Sequence, residues 1–424
     1  MVINANNSNT SNHKIVIPFY LYASIAFLIA CVLLLFSTDS FNQNHFSPKL
    51  LALTHTMALG WGTMIIMGAS HQLIPVLIEN KLYSDKLALI SFYLLAIGIP
   101  LLVYGFLTFN MGAISKWGGR LIILSVLTYV INLAVSIIKS KSENIHILFV
   151  FVASVWLLVT AVFGLALIYN FSTNLLPNDS LMYLPMHAHA GIVGWFLLII
   201  IGVGSRLIPM FLISKYHNTK ILKLILILIN AAMLTYVLTF NNKLNVYSII
   251  SIVAIITSVV LFINYCRNAY ISRIKKKIDN QIKISLFSVL IMAIPIIILT
   301  LILTLNYLNS KSNNNLVLSY GFIIFFGWMT AIILGMTFKT LPFIIWNKIY
   351  KVQSSSNKYP NPNELYSQKI FKTMSAFYVL SIIIFSIGII YNLIWMLKIG
   401  ALSFIIVAAF YNINVIKLIF KTSE

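Results

Sequence analysis

The residues in this chain best suited to chemistry are two histidines one residue apart. His187 and His189 sit in Met186-His187-Ala188-His189-Ala190-Gly191-Ile192-Val193-Gly194-Trp195, at the start of a long apolar run. Residues two apart on a helix point about 200° away from one another, so the two rings serve two separate pockets. Imidazole is the commonest metal ligand, and a ring buried in lipid must find a polar or metal partner. His55 lies in another apolar run, six residues before Trp61, as His189 lies six before Trp195. Such rings fit iron sites. The plainer alternative is an interhelical hydrogen-bond network, with His55 bonded to a backbone carbonyl or to Thr54 or Thr56.

The elements that must hold these rings are membrane helices. Of the 424 residues 60% are hydrophobic and only 9% charged, and mean hydropathy is +0.95. A soluble domain carries about 25% charged residues. Runs long enough to cross a bilayer, about 20 residues each, number twelve: 15–36, 49–78, 86–109, 119–139, 146–170, 184–214, 219–240, 246–266, 283–306, 316–345, 372–393 and 397–420. The first reads as a retained helix rather than a signal peptide, being too long for a signal core. Only Cys31 and Cys266 occur, far apart and with no C-x-x-C-H motif, so any haem is held non-covalently.

The net charge of +21 is not a nucleic-acid signal, because it alternates along the chain. Lys81 and Lys86, then Lys215, Lys220 and Lys223, then Arg267 through Lys277 mark one side; the other carries scattered charges such as Lys116, Arg120 and Lys398. By the positive-inside rule both termini are cytoplasmic. The eight acidic residues, Glu143 and Glu424 among them, fall in loops or at helix ends. No helix centre therefore holds a carboxylate of the kind that relays protons.

Three of the longest runs share a frame. Gly60-Trp61, Gly194-Trp195 and Gly327-Trp328 are each followed at one spacing by Gly68, Gly202 and Gly335, and at a second by Pro75, Pro209 and Pro342. The pattern implies three four-helix units, about 15–139, 146–266 and 283–420, around a pseudo-threefold axis. His55 and His189 fall in register, with Phe322 third; His187 aligns with Leu53 and Tyr320. Further along, Gln72, Arg206 and Lys339 align as a polar ring beside His71, read as side chains reaching for the interface or as a gate on a central path. His13, His45, His146 and His217 read as loop or interface residues.

The stretch from His187 to Trp195, continuing to Gly202 and Pro209, resembles the tenth helix of heme-copper oxidase subunit I, best in its C-family oxidase and nitric oxide reductase branches. The resemblance implies an all-α fold of twelve transmembrane helices with both termini inside. It implies that the first histidine of the pair, His187, ligates a high-spin haem and the second, His189, a low-spin haem. Thr54-His55 resembles the helix-two segment that supplies the other low-spin ligand. Three further copper-ligating histidines of that family are missing here, and the motif stands on the sixth helix rather than the tenth. His55 is thus open to pairing with His189, or, in a rotated frame, with His187. A looser resemblance is to the NnrS family of twelve-helix haem proteins linked to nitric oxide tolerance.

The resulting expectation is a copper-free, b-type haem protein of a bacterial inner membrane, with one or two haems between the second, sixth and tenth helices. His55, His187 and His189 hold iron, while Trp61, Trp195, Gly191 and the repeat glycines line or admit the macrocycle. Electron transfer and the binding or reduction of oxygen or nitric oxide are the corresponding activities, with cytochrome c or quinol as donor, other respiratory subunits as partners, and no nucleic acid. A small-molecule transporter built on the threefold repeat and a haem-free scaffold or assembly relative are the rival readings.

Overall fold

A computed structural model of the chain describes residues 13–43, 46–140, 144–240, 245–308, 314–350, 360–422; His45, Glu143 and Glu424 lie outside them. The described residues form helices and connecting turns, without a β-strand. Twelve helices are long and apolar enough to span a bilayer: α1 (His13–Phe36), α2 (Pro48–Leu77), α3 (Asp85–Leu107), α4 (Ala113–Ile138), α5 (Ile145–Thr173), α6 (Ser180–Leu212), α7 (Thr219–Leu238), α8 (Val246–Ile271), α9 (Asn280–Tyr307), α10 (Asn314–Tyr350), α11 (Gln368–Tyr391) and α12 (Ile394–Ile419). Each coincides with an apolar run expected from the sequence. In lipid the backbone must satisfy its own polar groups, which leaves helices as the available form for such runs. Several begin on a side-chain cap, as where Ser47, Ser84 and Asn218 accept from backbone N–H groups one turn on.

The core is built on α2, α6 and α10, most of whose apolar stretches are buried inside the protein, while α8 and α9 turn most of theirs outward. Each of the three core helices widens into a π turn around its Gly-Trp pair: Thr56–Thr63, Ala190–Leu197 and Ile323–Met329. A π turn breaks the regular i→i−4 ladder, so its carbonyls need other donors. In α10 the Ser288 hydroxyl of α9 donates to the Trp328 carbonyl at 2.9 Å, and the Tyr378 hydroxyl of α11 donates to the Phe326 carbonyl at 2.9 Å.

The aligned glycines prove to be packing positions. A Cβ on Gly68 would lie 2.5 Å from Phe19 of α1, one on Gly202 would lie 2.3 Å from Phe149 of α5, and one on Gly335 would strike Ser285 and the Gln281 carbonyl of α9. These glycines therefore seat each core helix against a neighbour instead of admitting a macrocycle, a use of small residues common between membrane helices.

The tryptophans tie the core helices to one another. Trp195 Nε1 of α6 donates to Thr63 Oγ1 of α2 at 3.0 Å, and Trp61 Nε1 of α2 donates to Thr330 Oγ1 of α10 at 3.2 Å. Trp328 Nε1 of α10 is buried without a partner. Its acceptor, by the same register, falls at Leu197, where the other two helices carry threonine. Leu197→Thr and Leu197→Val differ only in replacing a methyl by a hydroxyl. An orphaned buried donor costs about 1–3 kcal/mol, so the Thr variant should be the more stable of the two by roughly 1 kcal/mol in detergent thermal unfolding. The opposite order would mean that Trp328 does not reach this position.

Candidate functional site

His187 and His189 sit in the last turn of regular α-helix before the π turn of α6, and diverge as the spacing requires. Both are half-buried, as is His55, which holds the same place ahead of the π turn of α2. His187 and His55 face one cavity of about 280 Å³, enclosed by α2, α3, α4, α5 and α6 toward the end of the bundle remote from the termini. Their rings are nearly parallel, 16° apart, with centres 6.2 Å from one another.

His55 Nδ1 lies 2.8 Å from the Leu51 carbonyl. A carbonyl only accepts, so Nδ1 carries the proton and Nε2 keeps a lone pair in the neutral ring. Metal-binding imidazoles are oriented this way, the outer nitrogen bonded to a carbonyl and the other free for the ion. Phe106 packs beside His55 at 4.7 Å. The His187 ring lies against Gly164 of α5, whose Cβ, were there one, would approach it to 2.7 Å. His187 Nδ1 is buried with no hydrogen bond of ordinary geometry, the backbone of Thr160 being its polar neighbour.

The walls of the cavity are apolar. Leu50, Leu157, Leu165 and Phe196 contribute, with Gly119 and Gly191 beside them, and Trp195 also lines it. Trp61 does not. It is fully buried, stacked on Phe27 at 4.5 Å and bonded to Thr330, which makes it a packing residue, although Leu59 and Thr63 on either side of it line the histidines' cavity. An apolar group held by one histidine from each of two helices is the ligand such a space would take.

The other histidine of the pair is placed differently. His189 Nδ1 lies 2.7 Å from the Pro185 carbonyl, and Nε2 lies 3.1 Å from the Tyr320 hydroxyl of α10. The carbonyl fixes the proton on Nδ1, so Tyr320 donates to Nε2. Both ring nitrogens are thereby engaged, with Tyr236 of α7 packed at 5.9 Å. Of the two pairings open for His55, the geometry brings together the one with His187. Tyr320, aligned with His187 in the sequence, is thus the partner of His189 rather than a third ligand position.

Among the remaining histidines, one expectation holds and one is corrected. His71 is fully buried between Phe19 and Tyr129, in the half of α2 nearer the termini. His146 is buried too, its Nδ1 donating to the Gly202 carbonyl at 3.0 Å beside the Ser205 hydroxyl; it fastens α5 to α6 and is not a loop residue. Gly164 was not legible as part of the site, since nothing in its neighbours marks it; only the fold brings it under His187.

The contact between Gly164 and His187 is directly testable. Gly164→Ala should destabilise the protein by about 1–3 kcal/mol through overpacking, and most of that cost should vanish in a His187→Ala background. Additive effects in this cycle, read by thermal unfolding, would place the two residues apart.

No protein-family model and no curated protein sequence matches the chain. Among solved structures, it superposes on a heme-copper terminal oxidase, determined as a dimer by cryo-EM, with a TM-score of 0.70 at 11% identity, covering 98% of this chain and 85% of that one. At that identity the likeness is one of fold, and it spans nearly every helix described above: the chain is an integral membrane protein with the fold of a heme-copper terminal oxidase subunit.

Proposed function

We propose that this chain is a haem protein related to the membrane oxidases, carrying haem b non-covalently between His55 and His187 and working in one-electron transfer. The observation that carries the reading is the spacing of the two rings. Two metal–imidazole bonds of about 2 Å, with roughly 1 Å from each ligating nitrogen to its ring centre, require ring centres about 6 Å apart, and these stand 6.2 Å apart. The lone pair left on His55 Nε2 fits the same assignment.

When bound, the haem supplies a one-electron couple whose potential is set by its axial ligands, burial and nearby hydrogen bonds. The chain's own part is to hold and shield. Leu51 orients His55, Gly164 makes room for His187, and the leucines and phenylalanines around the cavity exclude water. If His55 and His187 both held the iron, the site would favour electron transfer over binding or reduction of oxygen or nitric oxide. His189 keeps its bonds to Pro185 and Tyr320 and holds no iron. Copper is not expected, since the sequence lacks the three further histidines. Cytochrome c or quinol is the proposed donor, other respiratory subunits the proposed partners, and a bacterial inner membrane with cytoplasmic termini the proposed setting.

Full-length protein purified after expression with ample haem should carry a pigment that acid-acetone extracts. The reduced form should be six-coordinate and indifferent to carbon monoxide. His187→Ala and His55→Ala should each lose that spectrum, the survivor of either becoming five-coordinate and able to bind carbon monoxide; His189→Ala should keep it. Protein with no Soret band would overturn the haem reading. A spectrum lost only in His189→Ala would move the iron to the α6–α10 seam.

A further inference from the structure

Toward the termini, α2, α6 and α10 part around a second cavity of about 920 Å³, separate from the one that holds the histidines. Ile65, Ile199 and Ile332 line its inner end, each four residues past its Gly-Trp tryptophan. Val203 and Met336 continue an apolar shaft. Seven residues beyond the isoleucines, roughly 10 Å further along each helix, the wall turns polar with Gln72, Arg206 and Lys339.

The three polar residues are not equivalent. Lys339 contacts Asp279, which also takes Lys275 at 2.8 Å. Burial pushes the Asp279 carboxyl upward, but the two ammonium groups outweigh it and hold the group below its ordinary range. Arg206 is exposed to the cavity and makes no ion pair among the described residues. Gln72 Oε1 is buried without a donor; an amide flip would present its N–H₂ at the same place. Glu79 and Glu364 also line the cavity. Glu79 stands seven residues further along the chain than Gln72, past the end of α2, and is exposed. Glu364 is turned to Asn361, accepting from its backbone N–H and its side-chain amide.

A guanidinium at the head of an apolar shaft, with a spare amide lining the same cavity, has the makings of a receptor. We infer that this vestibule binds an amphipathic anion, its carboxylate or phosphate head held by Arg206 and Gln72 and its single hydrocarbon tail lying along the shaft toward Ile199. Arginine within a membrane segment calls for a counter-charge, and its planar fork suits both head groups. The assignment is independent of the histidine cavity, which lies on the other side of the π turns.

Equilibrium binding of radiolabelled palmitate to full-length protein in a maltoside detergent tests it. Palmitate should bind saturably and methyl palmitate should not. Arg206→Gln should weaken binding at least tenfold, with Arg206→Lys retaining most of it. Val203→Trp, which fills the shaft and leaves Arg206 in place, should also abolish palmitate binding. Unfolding curves like the wild type's would show that the variants are folded. Palmitate that binds Arg206→Gln as well as wild type would overturn the proposal. So would inorganic phosphate competing fully with palmitate while Val203→Trp has no effect, since the site would then take a water-soluble anion with no tail.

Discussion

The structure depends on how three core helices are fastened where each has lost its regular ladder. A π turn in lipid is tolerable only when neighbours supply the missing bonds, and here close packing follows about two turns on. Gly68, Gly202 and Gly335 bring α1, α5 and α9 against the core helices one to two turns beyond the tryptophans. The tryptophan N–H groups then reach sideways, Trp195 to Thr63 and Trp61 to Thr330. Everything nearer the remote end, including the histidines, is presented from the last regular turn before this belt.

That placement explains why one short motif serves two seams. His187 and His189 precede the π turn of α6, so their opposed directions are those of an ordinary helix. One ring enters the cavity shared with α2; the other meets α10. Within the first, the backbone carbonyl of Leu51 and the bare Cα of Gly164 adjust two rings from different helices into near-parallel planes. Neither device involves a charge, in keeping with an apolar pocket where an unpaired ion would be costly.

Much of this was legible in the sequence because the governing signals are periodic. Apolar runs of bilayer length matched the twelve spanning helices of the described residues, and the recurrence of Gly-Trp, glycine and proline set α2, α6 and α10 in equivalent places. The divergence of His187 from His189 followed from helix geometry alone. The π turns were hidden, having no residue signature beyond the Gly-Trp pairs themselves. The choice of partner for His55 was hidden as well, because register aligns it with His189 while the packing of α2 on α6 turns it toward His187. Trp61 and Trp195 illustrate the limit: equivalent in sequence, they differ in surroundings, and Trp195 alone borders the histidines' cavity. The division into three units remains a reading of the sequence, one that the common register of glycines and π turns supports.

The bond between His189 and Tyr320 has a consequence for what this scaffold can become. The α2–α6 and α2–α10 seams each have a tryptophan latch, and the α6–α10 seam, where Leu197 replaces the threonine, has the histidine–tyrosine bond instead. Three bodies joined pairwise form a closed linkage with little freedom to pivot; opening one joint leaves a chain that can swing. A ring nitrogen cannot both close that linkage and bind a metal. An iron held by His189 would open the α6–α10 joint unless another fastener replaced it, and Leu197 is the vacancy where a single hydroxyl could provide one.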